Sequence, residues 1–252
     1  MYNFFKYLLV RPVVRFLFRA RLEGESHVPA EAGAILASNH LAAGDTYITP
    51  ALLRRQVTFP AKAELFRGDR GLGSKIMAWF IKSIKQVPLD RSGGRVSLEG
   101  LQPVLDALGE GRLVGIYPEG TRSPDGRLYK GHTGVARMAL AAGVPVIPVA
   151  VFDTKAVKGI FGIPWVHRAR VIIGEPLDFT EYAGRHDDRQ VLRWVTDEVM
   201  AAIQELSGQT YVEAYASSVK RGSLTAAEAD ARGQERPGLG ATPPSLPPGK
   251  LS

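Results

Sequence analysis

No cysteine occurs anywhere in the 252 residues, which excludes disulfides, thiolate metal sites and a cysteine nucleophile at once. Histidine is sparse: His27, His40, His132, His167 and His186 never fall at metal-ligand spacing, so no metal site is expected. No uninterrupted apolar run approaches the roughly 20 residues a spanning helix needs. Acids are absent from the first 22 residues, where Lys6, Arg11, Arg15, Arg19 and Arg21 all precede Glu23. The net charge of +7 calls for a negative partner. No helix-turn-helix, zinc-finger or aromatic-rich ribonucleoprotein pattern accompanies it. Anionic lipid or a phosphorylated substrate is therefore expected, and nucleic acid is not.

Between the N-terminal cations lie Phe4, Phe5, Leu8, Leu9, Val10, Val13, Val14, Phe16, Leu17 and Phe18. Drawn as one straight helix, the segment mixes its faces. A break at Pro12 gives two amphipathic halves, residues 2–10 and 12–20, suited to lying in a membrane interface. The alternative is an amphipathic helix packed on its own domain. No unbroken apolar core precedes a small-residue cleavage site, so a signal peptide is not expected. From about residue 222 the composition turns to Ala, Gly, Pro and Ser, which reads as a disordered tail. The expected organisation is an interfacial element over 1–22, one α/β domain over 23–221, and a tail over 222–252, without internal repeats.

Two polar segments stand out inside the domain. Ile35-Leu36-Ala37 has the look of a buried strand, and Ser38-Asn39-His40-Leu41-Ala42-Ala43-Gly44-Asp45 follows it. A tight turn at Ala42-Ala43-Gly44 brings the carboxylate back to the imidazole, which helical spacing alone would not do. A neutral imidazole oriented by a carboxylate leaves its second nitrogen free to take a proton from a substrate hydroxyl. Asp45 is equally suited to capping a helix that begins near Thr46. The second segment follows the strand Leu113-Val114-Gly115-Ile116-Tyr117 and runs Pro118-Glu119-Gly120-Thr121-Arg122-Ser123-Pro124-Asp125-Gly126. Arg122 offers a fork of donors suited to phosphate, and Gly120 allows close backbone approach. A surface salt bridge from Arg122 to Asp125 or Glu119 is the plainer reading. Both segments follow strands, and in open α/β sheets ligands gather at the carboxyl ends of strands.

Asn39-His40 with Asp45, then Glu119-Gly120-Thr121-Arg122, resembles the glycerophospholipid acyltransferase family, of the 1-acylglycerol-3-phosphate acyltransferase type. Val87-Pro88-Leu89-Asp90-Arg91 resembles the family's second block, Val144-Pro145-Val146-Ile147-Pro148-Val149 its fourth, and Lys62-Ala63-Glu64-Leu65-Phe66 also fits. The resemblance spans about residues 24–175. Ala42 stands where the family often has serine, and Gly44 where it commonly has a bulky apolar residue.

The resemblance implies a mixed central sheet flanked by helices, and acyl transfer from a thioester, acyl-CoA or acyl-carrier protein, with no other cofactor. His40 would be the base and Asp45 its orienter. Arg91 and Arg122 would hold the acceptor phosphate, Thr121 would add a donor, and Gly120 would line the site. Glu119 would orient Arg122 or bond an acceptor hydroxyl. Backbone amides near the first or third block would serve as oxyanion donors. The product would be phosphatidic acid, made at an anionic membrane surface on the cytoplasmic face by a peripheral or monotopic protein. The alternatives are another acceptor, glycerol 3-phosphate or a different lysophospholipid, and a non-catalytic lipid-binding protein.

Further helices are expected over residues 72–84, 96–108 and 133–142, and from a capping box at Asp187-x-x-Gln190 through Leu206. The first of these reads as a core helix, an acyl-tunnel wall or a second membrane contact. His132 reads as a boundary residue rather than a second base.

Overall fold

Short apolar runs closed by glycine or proline become strands here, and the 3.6-residue patterns between them become helices. The computed structural model describes residue 4 and residues 6–69, 71–83, 85–89, 98–158 and 164–246. In chain order the strands are β1 (Arg21–Glu23), β2 (Ala34–Ser38), β3 (Val57–Thr58), β4 (Pro60–Lys62), β5 (Val87–Leu89), β6 (Leu113–Ile116), β7 (Leu128–Tyr129), β8 (Val146–Phe152), β9 (Val157–Lys158), β10 (Pro164–Trp165), β11 (Arg170–Ile173), β12 (Tyr211–Val212) and β13 (Gly233–Gln234). The α-helices are α1 (Asp45–Leu52), α2 (Leu72–Ser83), α3 (Leu98–Gly109), α4 (Gly134–Ala142), α5 (Arg189–Ser207), α6 (Ala216–Lys220) and α7 (Ala226–Asp230).

The central sheet runs β1-β11-β8-β2-β6-β3. Strands β8, β2, β6 and β3 are parallel, β11 is antiparallel to β8, and β1 is parallel to β11, so the sheet is mixed. Every residue of β2 is buried, as a parallel strand covered on both faces demands. On one face, Leu101 and Val104 of α3, Val135 and Met138 of α4, and Val195 and Val199 of α5 meet Ile35, Val114 and Val146. On the other, Ile48 and Leu52 of α1 join Val14 and Phe18 against Leu36, Ile147 and Val151.

Two helical segments meet at Pro12, which holds the cap position of the second, as the sequence predicts. Residues 6–17 are helical throughout, π-helical over Lys6–Val10 and Val13–Leu17, with Pro12 itself at φ −60° and ψ −44°. Proline supplies no N–H, and at the cap of the second segment that donor is not needed. The faces are inverted relative to a soluble helix. Lys6 is buried, and its ammonium donates to the carbonyls of Arg54 (3.2 Å) and Arg55 (3.4 Å), just past the C-terminal end of α1. A cation is favoured at that negative helix end. Burial pushes the Lys6 ammonium down to about 8. Leu8, Leu9, Phe16 and Leu17 point outward, Phe16 at 75% exposure, while Val14 and Phe18 join the core. Among the described residues no helix is long and apolar enough to cross a membrane.

Two expectations shift. The cap of α5 is Asp188 rather than Asp187, its carboxylate accepting from Gln190 and Val191 N–H. Residues 222–246, expected to be disordered, carry α7, opened by a Thr225–Glu228 capping box, and β13, which pairs with β12. Leu224 and Ala229 are buried beneath them. Bulk composition concealed these local signals. Because β12 also pairs with β7, this C-terminal segment is tied to the loop that follows β6.

Candidate active site

Strands β2 and β6 are parallel neighbours in register, Ala37 beside Ile116. The segments following them therefore leave the same edge of the sheet side by side. The His40 carbonyl accepts from Ser123 N–H at 2.7 Å, stitching one segment to the other.

The turn Ala42-Ala43-Gly44 brings Asp45 back beneath His40. Asp45 Oδ2 lies 2.8 Å from His40 Nδ1 and also accepts from the Leu41 and Ala42 N–H groups at 2.7 and 2.9 Å. Asp45 is fully buried, and its Oδ1 has no partner among the described residues. Three donors on one oxygen fix the carboxylate, which fixes the ring in the tautomer with Nδ1–H and directs Nε2 away as the acceptor. The His40 ring stacks on Tyr117, centroids 3.9 Å apart, and Tyr117 in turn stacks on Phe59. Asp45 is the first residue of α1 and not its cap: the cap position is Gly44, no side chain bonds the helix end, and the Asp45 carboxylate turns back to His40, Leu41 and Ala42 instead.

Gly44, where the resembled family commonly has a bulky residue, has a backbone reason. A Cβ there would lie 2.2 Å from the Thr154 carbonyl oxygen. The turn that delivers Asp45 is pressed directly against the main chain after β8.

Glu119 does not orient Arg122. Its side chain is turned inward, Oε1 accepting from His40 N–H and Oε2 from Tyr129 N–H, each at 3.2 Å. It ties the histidine segment, its own loop and β7 together. Burial pushes the Glu119 carboxyl up to about 8, outweighing the two backbone bonds. A neutral carboxyl removes the repulsion that a carboxylate beside a phosphate would create. Unfolding frees this group to ionise from about 4.5, whereas the folded protein holds its proton to about 8. Stability is therefore expected to fall as pH rises through that window and to level off above it. In Glu119→Gln the slope flattens, although one backbone N–H loses its acceptor at about 1–3 kcal/mol. Urea unfolding of both proteins from pH 5 to 9 checks this, and parallel curves would contradict it.

Gly120 has φ +71°, and a Cβ there would come within 3.0 Å of the His132 ring. His132 is held at the site's edge: its N–H donates to the Pro118 carbonyl and its ring stacks on Tyr215, 4.5 Å away. Thr121 Oγ1 accepts from Lys220 at 3.0 Å. Arg122 is exposed and makes neither the Asp125 nor the Glu119 bridge; Asp125 is taken by Arg127. Arg91 lies outside the described residues. Leu36, Val57, Phe59, Ile116, Tyr117 and Val149 line a narrow, largely apolar crevice beside the His40 stack.

Several participants were missed in the sequence. Asn39 makes a reciprocal pair with the Val151 backbone and donates to Gln209 at 2.7 Å. Gln209, Tyr215 and Lys220 arrive from the C-terminal segment, and only the spatial pairing of β12 with β7 could have announced them.

Residues 19–152 match the family model described as Acyltransferase, and the chain belongs to that family. It is 29% identical over 191 residues to the 1-acyl-sn-glycerol-3-phosphate acyltransferase of Bacillus subtilis (strain 168), covering 75% of this chain and 88% of that one. It is 31% identical over 163 residues to the 1-acyl-sn-glycerol-3-phosphate acyltransferase LPAT1, chloroplastic, of Arabidopsis thaliana, covering 64% of this chain and 44% of that one. The 1-acyl-sn-glycerophosphate (LPA) acyltransferase PlsC from Thermotoga maritima shares the fold, with a TM-score of 0.55 at 22% identity and 80% of each chain covered.

Proposed function

We propose that this protein transfers a fatty acyl group from a thioester, acyl-CoA or acyl-carrier protein, to the free hydroxyl of 1-acylglycerol 3-phosphate, giving phosphatidic acid. The observation that carries the reading is the His40–Asp45 pair, 2.8 Å apart with the aspartate pinned by two further N–H groups. A module that only bound lipid would need no base held in one tautomer.

His40 Nε2 takes the proton of the acceptor hydroxyl as its oxygen attacks the thioester carbonyl. Asp45 stabilises the imidazolium, which then protonates the departing thiolate. Backbone N–H groups of the loop after β6 are suited to the developing oxyanion. Arg122 and Arg91 hold the acceptor phosphate. Arg122→Ala and Arg91→Ala are expected to raise KM for the phosphorylated acceptor about tenfold while leaving KM for the acyl donor within twofold. Equal effects on both substrates in steady-state kinetics would overturn the clamp.

The work site is a membrane surface. The N-terminal element turns Lys6 inward and presents Leu8, Leu9, Phe16 and Leu17, with Arg15 and Arg19 nearby. An apolar face flanked by cations suits an anionic bilayer. Because Val14 and Phe18 belong to the core, the test alters exposed side chains instead of deleting the segment. Leu9→Ser with Phe16→Ser is expected to weaken cosedimentation with phosphatidylglycerol-containing liposomes by tenfold or more, at about 0.8 kcal/mol per buried CH₂ lost. Unchanged binding would place the membrane contact elsewhere.

A further inference from the structure

The loop after β6 is surrounded by cations, and two of them are neutralised. Arg127 pairs with Asp125 and Asp230, and Lys130 with Glu213. Arg122 and Lys220 are different. Among the described residues neither forms an ion pair, although Lys220 is anchored to Thr121, the residue adjoining Arg122. Two cations have been brought together with no ion pair to either, and the acid that Lys220 does feel, Glu119, is buried and holds its proton up to about 8.

We propose that Lys220, at the end of α6, completes the acceptor's phosphate site together with Thr121 and Arg122. This rests on the acceptor reading above. It extends the site beyond residues 19–152, where the family match lies, into the C-terminal segment.

Three features support it. The first is attachment. β12 pairs with β7, Lys130 N–H donates to the Ala214 carbonyl, Tyr215 stacks on His132, and Gln209 joins Asn39 to Gly126. Lys220 is thus delivered by a braced segment. The second is valence: an ammonium has three donors, and Thr121 takes one, leaving two for phosphate oxygens. The third is electrostatic. Burial, then the Arg122 guanidinium, holds the Lys220 ammonium below the usual lysine range, and a bound dianion would relieve the second of these. The inward, neutral Glu119 opposes such a dianion least.

The experiment uses the full chain, with Lys220→Ala and Lys220→Gln assayed beside wild type. Acceptors are 1-acylglycerol 3-phosphate and 1-acylglycerol, which lacks the phosphate. Lys220 is exposed, so both variants keep the fold, and Gln retains a donor for Thr121 without the charge. Both are expected to raise KM for the phosphorylated acceptor about tenfold, equivalent to about 1.4 kcal/mol. KM for the thioester and kinetics with 1-acylglycerol should stay within twofold. If wild type prefers the phosphorylated acceptor and neither variant loses that preference, the Lys220 assignment is wrong and the acceptor reading stands. Impairment in Ala but not Gln, or equal impairment with both acceptors, also overturns it, because only the Thr121 bond would then matter. Wild type that shows no preference for phosphate overturns the acceptor reading and Lys220 together.

Discussion

Replacing His40 by alanine is expected to cut acyl transfer by about 10³-fold, within the range of a well-placed general base. The side chain's bond to Asp45 and its stack on Tyr117 are what the variant loses; the backbone bonds to Glu119 and Ser123 remain. Fold and liposome binding should therefore persist. Asp45→Asn tests the same machinery differently. Its amide oxygen can still accept from Leu41 and Ala42, so the turn survives, but the imidazolium loses its counter-charge. Turnover should fall about 10²–10⁴-fold, the contribution expected of base catalysis. Single-turnover measurement of the chemical step, with near-ultraviolet circular dichroism as a check on packing, decides both. His40→Ala with more than a tenth of wild-type rate would remove His40 as the base.

The second large effect comes from a methyl group. Gly44→Ala places a Cβ 2.2 Å from the Thr154 carbonyl, well inside any tolerated contact, so one of the two backbones must move. Asp45 is the next residue, and its carboxylate holds His40. A displacement of about 1 Å at a reacting group can cost about 10²-fold, and that loss in kcat is the expectation. Crowding of this kind typically destabilises by about 1–3 kcal/mol, readable as a lower urea midpoint. Normal kcat in a folded Gly44→Ala would show that the turn is not what positions Asp45.

Sequence legibility followed the range of the forces involved. The apolar runs of β2, β6 and β8 and the Gly143 end of α4 were readable because burial and capping act over a few neighbouring residues. The two polar segments were readable for the same reason, and their meeting followed from both leaving strand ends. Glu119 was misjudged because a buried acid receiving backbone N–H groups looks, in sequence, like an exposed one beside an arginine. Pro12 was readable as the boundary between two helical segments because its missing N–H is tolerated at a helix start. Lys220, Tyr215 and Gln209 were missed because their place depends on strand pairing across more than 80 residues. The folded stretch after Gly222 was hidden by its Ala and Gly content, although Thr225-x-x-Glu228 marks a helix start plainly enough.

Product analysis reads acceptor-dependent acyl transfer at His40 directly. Purified protein is given acyl-CoA or acyl-carrier protein with 1-acylglycerol 3-phosphate, with glycerol 3-phosphate, or with no acceptor. Thiol release is followed while lipids are identified by mass. Release is expected only with 1-acylglycerol 3-phosphate, with phosphatidic acid in equal amount, and neither in His40→Ala. Thiol release without an acceptor, or phosphatidic acid formed equally well by His40→Ala, would contradict it.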